Sequence, residues 1–512
     1  MKQTNIVNTA ESCIKTLSVW TDTFQVPKYA SIKDNLSSDV CIVGAGISGL
    51  TSAYLLACKG LKVIVIDDGE IGGGETGNTT AHISSVLDDR YSRLENIHGI
   101  EAARMAAMSQ RDAVKEIERI VLKENINCDF KKTDGYLLFK PGDDLFTEEY
   151  EAAMRAGMEV SISDHPLDSF KEYRALKFPG QAHFHILKYI SSLAGAIIKM
   201  DGRIYSNTHV TGIEDNETGT VINTKDGYFV KAGDTVIATN SPVSDYFSIH
   251  TKQSAYRTYV IGYRIEKNSI PACLYWDTES PYHYVRVYQE KDSDILIIGG
   301  EDHKTGQDNT PEERFKKLGE WAAEHFNIQE SPEYNWSGQI MEPVDGLSFI
   351  GKDPENKHHV YIITGDSGMG ITHATYGGMI IRDLITGKKN IWSELYDPGR
   401  ITLKSVMEYI KEGANTVSQY IDLISAGDVN IDDEILPGNG AVIREGFDKT
   451  AVYKDDNGDV FRFSALCPHL KCVVHWNQIE KSWDCPCHGS RFDCKGKLLN
   501  GPANSDMKKL LN

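Results

Sequence analysis

Between Cys467 and Phe492 the chain reads CPHLKCVVHWNQIEKSWDCPCHGSRF, a stretch holding four of the ten cysteines of the 512-residue sequence and three histidines. No other segment limits the possible folds so tightly, because thiolates and imidazoles at fixed short spacing are metal-ligand chemistry. Cys467-Pro468-His469 and Cys485-Pro486-Cys487-His488 form two boxes, fifteen residues apart. A zinc finger sets its cysteines about two to four residues apart and its histidines about three to five, which C-x-H does not match. A c-type haem needs C-x-x-C-H, and the second box is one residue short of it. A zinc ribbon or unligated cysteines are the alternatives this spacing leaves open. Cys13, Cys41, Cys58, Cys128 and Cys273 are scattered singly, as in a reducing compartment.

Closed by Gly489-Ser490-Arg491-Phe492-Asp493, the boxes resemble the Rieske pattern C-x-H…C-x-x-H. That resemblance implies a 2Fe-2S cluster held by Cys467, His469, Cys485 and His488, with both histidines on one iron. It further implies a disulfide between Cys472 and Cys487, which in a cytoplasmic protein needs shielding from cellular thiols. High-potential members of the family hydrogen-bond the cluster sulfurs through a serine and a tyrosine after the second box. Here Ser490 is kept and Phe492 stands in the tyrosine's place. Losing that hydrogen bond lowers the potential, so the middle of the family range is expected. His475 and Cys494 match no ligand and read as a surface histidine and an ordinary small residue.

The other strong motif lies near the start. Asp39 to Asp68, DVCIVGAGISGLTSAYLLACKGLKVIVIDD, is an apolar strand, a glycine turn, an apolar-periodic helix and a second apolar strand. Gly44, Gly46 and Gly49 set out G-x-G-x-x-G between strand and helix, and Asp67 closes the second strand. Gly44 permits the tight turn, Gly46 lets the backbone approach a pyrophosphate, and Gly49 allows helix to pack on strand. Asp67 would accept the ribose hydroxyls. A dinucleotide is expected here.

Three later segments, GGGETGNTTAHIS from Gly72, TVIATNSP from Thr235 and TGDSGMGITHATYGG from Thr364, complete a pattern that resembles the D-amino-acid oxidase family of FAD enzymes over about residues 36 to 395. The resemblance implies FAD as the dinucleotide. It implies that Gly365, Gly368 and Gly370 contact the flavin end and that the backbone of Val210 meets the adenine. His82 is out of step with the histidine that carries covalent FAD in some amine dehydrogenases, and reads as a polar residue near the cofactor or a buried, satisfied one.

The expected architecture is a Rossmann-type α/β FAD-binding domain with an inserted antiparallel-sheet substrate domain, plus a small all-β Rieske domain. Residues 1–395 form the oxidoreductase, with FAD-binding parts at about 36–100, 180–250 and 335–395 and substrate parts at about 101–180 and 251–334. Residues 396–426 are expected to be a helical linker and 427–512 the Rieske domain.

Fifty-four basic against seventy-three acidic residues leave a formal charge of −19, which argues against nucleic acid and anionic lipid as partners. No run approaches the ~20 apolar residues that span a bilayer, and the opening residues lack an apolar leader core, so a cytoplasmic protein is expected. A flavin takes two electrons and a 2Fe-2S cluster passes one, so the pair converts substrate oxidation into single-electron output. Only one G-x-G-x-x-G is present, which makes the substrate itself the reductant of the flavin. The resemblance implies a small amine or amino acid as substrate, with a one-electron acceptor, protein or small carrier, as the exit. The alternatives are a flavin reductase fed through the Rieske centre and a non-catalytic redox sensor. In SPYHYVRVY, alternation sets Tyr282, Tyr284 and Arg286 on one strand face, either to hold a substrate carboxylate or as a solvent-facing row. Arg257, Tyr259 and His373 are candidates of the same rank.

Overall fold

The computed structural model describes residues 16–242, 247–307, 310–355, 358–402 and 434–510 except 447, with scattered positions from 414 to 429. The expected linker at 396–426 lies largely outside the described residues. The chain divides into two compact units. The larger comprises Leu17–Lys304 and Glu313–Ala414; the smaller is built on Asn415–Asn512 and takes in Thr305–Glu312.

The larger unit contains two sheets. In the first, Arg203–Tyr205, Val63–Ile66, Leu36–Val43, Phe229–Ile237 and Val360–Thr364 run parallel in that spatial order, and Phe349–Lys352 closes one edge antiparallel. Parallel strands are covered on both faces, which explains why Val63–Ile66 reads as an unbroken apolar run and is buried throughout. The pairings Val43 with Ile66 and with Ile237 align the carboxyl ends of three strands, where the glycine turn emerges. Helices Ile47–Ala57 and Gly370–Ile385 pack closely: a Cβ on Gly378 would stand 3.3 Å from the Ser52 nitrogen.

The second sheet has nine strands, ordered from Tyr334–Pro343 through Gln253–Ile265, Asp294–Lys304, His283–Gln289, Leu274–Asp277, Lys131–Phe139 and Arg174–His183 to His82–Ile83, with Ser161–Ser163 beside Arg174–His183. It is antiparallel except where Leu274–Asp277 runs parallel to Lys131–Phe139. That one departure from the expected pattern arises because the two halves of the sheet come from separate parts of the chain, so no tight turn dictates their relative direction.

In the smaller unit, Asn439–Glu445, Asp448–Lys454 and Val460–Ser464 form one antiparallel meander, and His475–Asn477, Ser482–Asp484, Arg491–Asp493 and Leu498–Asn500 form a second. Trp483, Phe492, Val474 and Cys472 are fully buried between them. Among the described residues no helix is long and apolar enough to cross a membrane.

Candidate functional site

The glycine loop shows how a strand-to-helix turn becomes a phosphate cradle. Gly44 has φ +107°, and a Cβ there would lie 2.5 Å from the Ala238 carbonyl oxygen, so only glycine fits. Gly46 precedes helix Ile47–Ala57, and its missing Cβ leaves room for the Thr76 hydroxyl, which accepts from the Ile47 N–H at 3.0 Å. Asp67, expected to meet ribose, also braces the loop: its carboxylate accepts from the backbone N–H groups of Ala45 at 2.5 Å and Gly69 at 2.8 Å. Burial pushes its pKa up, and those two donors pull it back. A carboxylate has lone pairs beyond these two bonds, so a ribose contact stays open. Val210 begins strand Val210–Asn216, where the register slips between Val210 and Gly212.

The late glycine segment forms a second turn on the same sheet. Gly365 and Gly368 have φ of +78° and +72°, and Gly370 opens helix Gly370–Ile385. Asp366 within the turn accepts from the Met341 N–H at 2.9 Å. A pyrophosphate cradle at one strand end and a glycine turn two strands away suit an elongated dinucleotide, so these residues fit FAD.

His82 Nδ1 lies 3.0 Å from the Thr80 hydroxyl, and its ring meets Tyr284 edge-on at 5.7 Å. Burial drives the His82 pKa down to about 3 and that of His373 down to about 4. Both imidazoles are therefore neutral at pH 7. Tyr282 and Tyr284 face one another at 5.5 Å, and the Tyr284 hydroxyl is 2.8 Å from that of Thr258. His283 turns the other way and is held by Asp277 at 3.0 Å. Arg286 departs from the carboxylate-holding expectation. It is fully buried, and its guanidinium donates to the carbonyls of Ala81 at 2.7 Å and Thr80 at 3.0 Å while lying 3.2 Å from His183. The solvent-facing alternative for this row fails for the same reason: Arg286 ties the strand to the segment after the glycine loop. Arg257 is likewise buried, bonded to Ser337 and 4.0 Å from Glu75. Tyr259 is enclosed between His303 and Phe315.

What the sequence reading missed here is acid. Asp88, Asp302 and Glu342 converge on one cavity with Tyr282. Each lies on a different element, and none belongs to a motif.

In the smaller unit, Cys467 and Cys485 are free and buried, and their thiols are hydrogen-bonded to one another. That sharing pulls Cys467 below the ordinary thiol range, with help from Ser490 and the nearby backbone N–H groups of His469 and Leu470. The rings of His469 and His488 are 5.2 Å apart and perpendicular. Two adjacent thiols and two adjacent imidazoles, presented by two loops, fit the donor set that a 2Fe-2S cluster with mixed ligation requires. Cys472 and Cys487 form a disulfide with 6.5 Å between their Cα atoms, so the loops are also joined covalently. Cys494 is fully buried and disulfide-bonded, in place of the ordinary small residue expected. His475 pairs with Asp422 at 3.0 Å.

A family model described as FAD dependent oxidoreductase, DAO, matches residues 39–384, and the Rieske [2Fe-2S] domain matches 428–510. The chain belongs to the DAO family of FAD-dependent oxidoreductases and carries a Rieske domain. Its cofactors are FAD and a Rieske 2Fe-2S cluster. The Rieske 2Fe-2S iron-sulfur protein YhfW of Bacillus subtilis is 28% identical over 96% of this chain and 97% of its own length. Gamma-glutamylputrescine oxidoreductase of Escherichia coli is 24% identical over 70% of this chain and 87% of its own length. The larger unit shares its fold with glycine oxidase from Geobacillus kaustophilus, at a TM-score of 0.60 and 19% identity over 72% of this chain and 99% of that one.

The cluster's surroundings yield one expectation. Phe492 is fully buried in the core that also holds Cys467 and Cys485. Phe492→Tyr adds a hydroxyl where the Rieske resemblance implies a tyrosine, and a hydrogen bond to a ligand sulfur stabilises the reduced cluster. Potentiometric titration should show a raised midpoint; an unchanged or lowered one would mean that residue 492 does not occupy the tyrosine's place.

Proposed function

We propose that this chain is a dehydrogenase that oxidises a small amine or amino acid at its flavin and passes the electrons singly through the Rieske cluster to a one-electron acceptor, a protein or a small carrier. The observation that carries this reading is that a two-electron cofactor site and a one-electron cofactor site are both complete on one chain, with a single dinucleotide loop. The names of the related proteins, which speak of gamma-glutamylputrescine and glycine, support the substrate class. FAD, when bound, accepts hydride from the carbon next to the amine nitrogen, leaving an imine that water hydrolyses. The chain's own part is to bind and orient. Helix Ile47–Ala57 presents its N-terminus to the pyrophosphate, and Asp67 fixes the loop. His82 and His373 are neutral by burial and bring no positive charge to the site, whose amine substrate reacts in its unprotonated form.

Anaerobic rapid mixing with a panel of amines and amino acids tests the proposal. Flavin absorbance should bleach first and the cluster signal should follow. A cluster that stays oxidised after the flavin is reduced, with an acceptor absent, would remove the exit from the scheme.

A further inference from the structure

The larger unit carries an open cleft of about 500 Å³, within the ordinary size range of small-molecule sites. Five of its lining side chains are carboxylic acids, Asp88, Asp89, Glu279, Asp302 and Glu342, against the two guanidiniums of Arg90 and Arg93. Arg93 pairs with Asp89, and Glu279 accepts from Lys140 at 2.7 Å and from Tyr173 at 2.9 Å. Arg90 donates to the backbone carbonyls of Asp88 at 2.7 Å and Asp277 at 2.9 Å. Among the described residues no lysine or arginine forms an ion pair with Asp88, Asp302 or Glu342.

A second observation points to a ligand. The Asp302 carboxyl group takes a hydrogen bond from the Thr258 side chain, but its Oδ1 atom is sealed from solvent and has no hydrogen-bond partner among the described residues. A buried carboxylate oxygen left this way is destabilising until a donor reaches it. The Tyr282 ring lines the same cavity, with Tyr284 beside it at 5.5 Å, and a tyrosine face attracts an ammonium group. Ser367, from the glycine turn assigned to the flavin, is part of the wall and donates to Glu342 at 2.7 Å, so the cavity adjoins the cofactor. The two guanidiniums of the lining are each turned to other groups, Arg93 to Asp89 and Arg90 to backbone carbonyls, and Arg286, the expected carboxylate holder, lies outside the lining and donates to the Thr80 and Ala81 carbonyls.

We propose that this cavity binds the substrate and selects a molecule with two cationic nitrogens and no carboxylate, a diamine or polyamine. This deepens the amine-oxidising function proposed above and rests on it. One ammonium lies among Asp302, Glu342 and the tyrosine ring, and the carboxylates repel a substrate carboxylate. The acid groups also give the site a pH signature. Burial pushes Asp88 up to about 6, Asp302 up to about 7 and Glu342 up to about 8; Arg90 opposes the shift at Asp88, the Thr258 hydrogen bond and then His283 oppose it at Asp302, the Ser367 hydrogen bond opposes it at Glu342, and the three acids repel one another, with Asp366 and Glu301 adding to that repulsion. A cation binds the ionised forms, so affinity for a dication rises as pH increases from 6 to about 8.5.

Calorimetry and anaerobic flavin bleaching on the full-length holoprotein separate the two levels of the proposal. The probes are 1,4-diaminobutane, 1-aminobutane and 4-aminobutanoate, which differ only in the far end. The diamine should bind about tenfold or more tightly than the monoamine, and the amino acid more weakly than either. Asp302→Asn and Glu342→Gln should each lower diamine affinity by about tenfold while changing monoamine affinity far less. Flavin content of each variant reports its folding, and the comparison of the three probes on the unaltered protein stands without any variant. Equal affinities for the three probes, tighter binding of 4-aminobutanoate, or no binding of the diamine would overturn the assignment of the cavity. Tight diamine binding without flavin bleaching would uphold the cavity assignment and overturn amine oxidation.

Discussion

A protein carrying Gly46→Val is expected to lose its FAD and keep its Rieske signal. Gly46 has φ −76°, which valine adopts without backbone strain, so the substitution tests space and not conformation. A Cβ at this position would lie 2.9 Å from the Thr76 hydroxyl, and the two further methyls of valine have to go where the pyrophosphate approaches or into Thr76. Either way the Thr76 bond to the Ile47 N–H is disturbed, and with it the helix terminus that receives the phosphates. A loss of about 100-fold or more in FAD affinity, ~3 kcal/mol, is expected. It is read as flavin per chain after gel filtration, beside the paramagnetic signal of the reduced cluster. A full complement of FAD would remove the loop from the cofactor site. Gly44→Ala is a different experiment, because at φ +107° any side chain strains the turn itself.

The second large effect is expected at the cluster. His488 is buried, and desolvation, with His469 beside it, lowers its pKa to about 4 in the absence of iron. A neutral imidazole ligand leaves the cluster less negative than a thiolate would. His488→Cys adds a negative charge to an iron and should lower the midpoint by ~250 mV or more, towards the range of all-cysteine clusters. Substrate should still bleach the flavin, while electron delivery to an external one-electron acceptor slows sharply. Potentiometry and the change in the paramagnetic spectrum check the ligand role. A midpoint within the error of the unaltered protein would show that His488 is not on the iron.

The cofactor sites were legible in the sequence because their residues are contiguous: three glycines within six positions of one turn, and two boxes whose ligands stand two or three residues apart. Local spacing then determines geometry. Alternation correctly set Tyr282 and Tyr284 together, opposite His283, but said nothing of what lay across from Arg286. Its partners are carbonyls of Thr80 and Ala81, some 200 positions earlier, and a side chain's partner at that distance is decided by sheet order. The acidic cavity was hidden for the same reason, since Asp88, Asp302 and Glu342 meet only when the nine-stranded sheet is assembled. A search for acids near the ends of the two strands that flank Gln253–Ile265 would have found Asp302 and Glu342; Asp88 follows no strand pattern.

Within the smaller unit, Gln307 donates from Nε2 to the Pro486 carbonyl at 2.9 Å, and Gly306, at φ +72°, lies so near that a Cβ would be 2.7 Å from the Pro486 nitrogen. Those two residues belong, in chain order, between strand Asp294–Lys304 and helix Pro311–Phe326. The box carrying Cys485 and His488 is thus finished by a segment encoded more than 170 residues upstream. A fragment excised at residue 427 would leave that carbonyl bare, and a Rieske module transplanted from another protein would arrive without its clasp. The two halves of this gene cannot be exchanged like beads on a string: recombination at the obvious boundary severs one of them from part of itself.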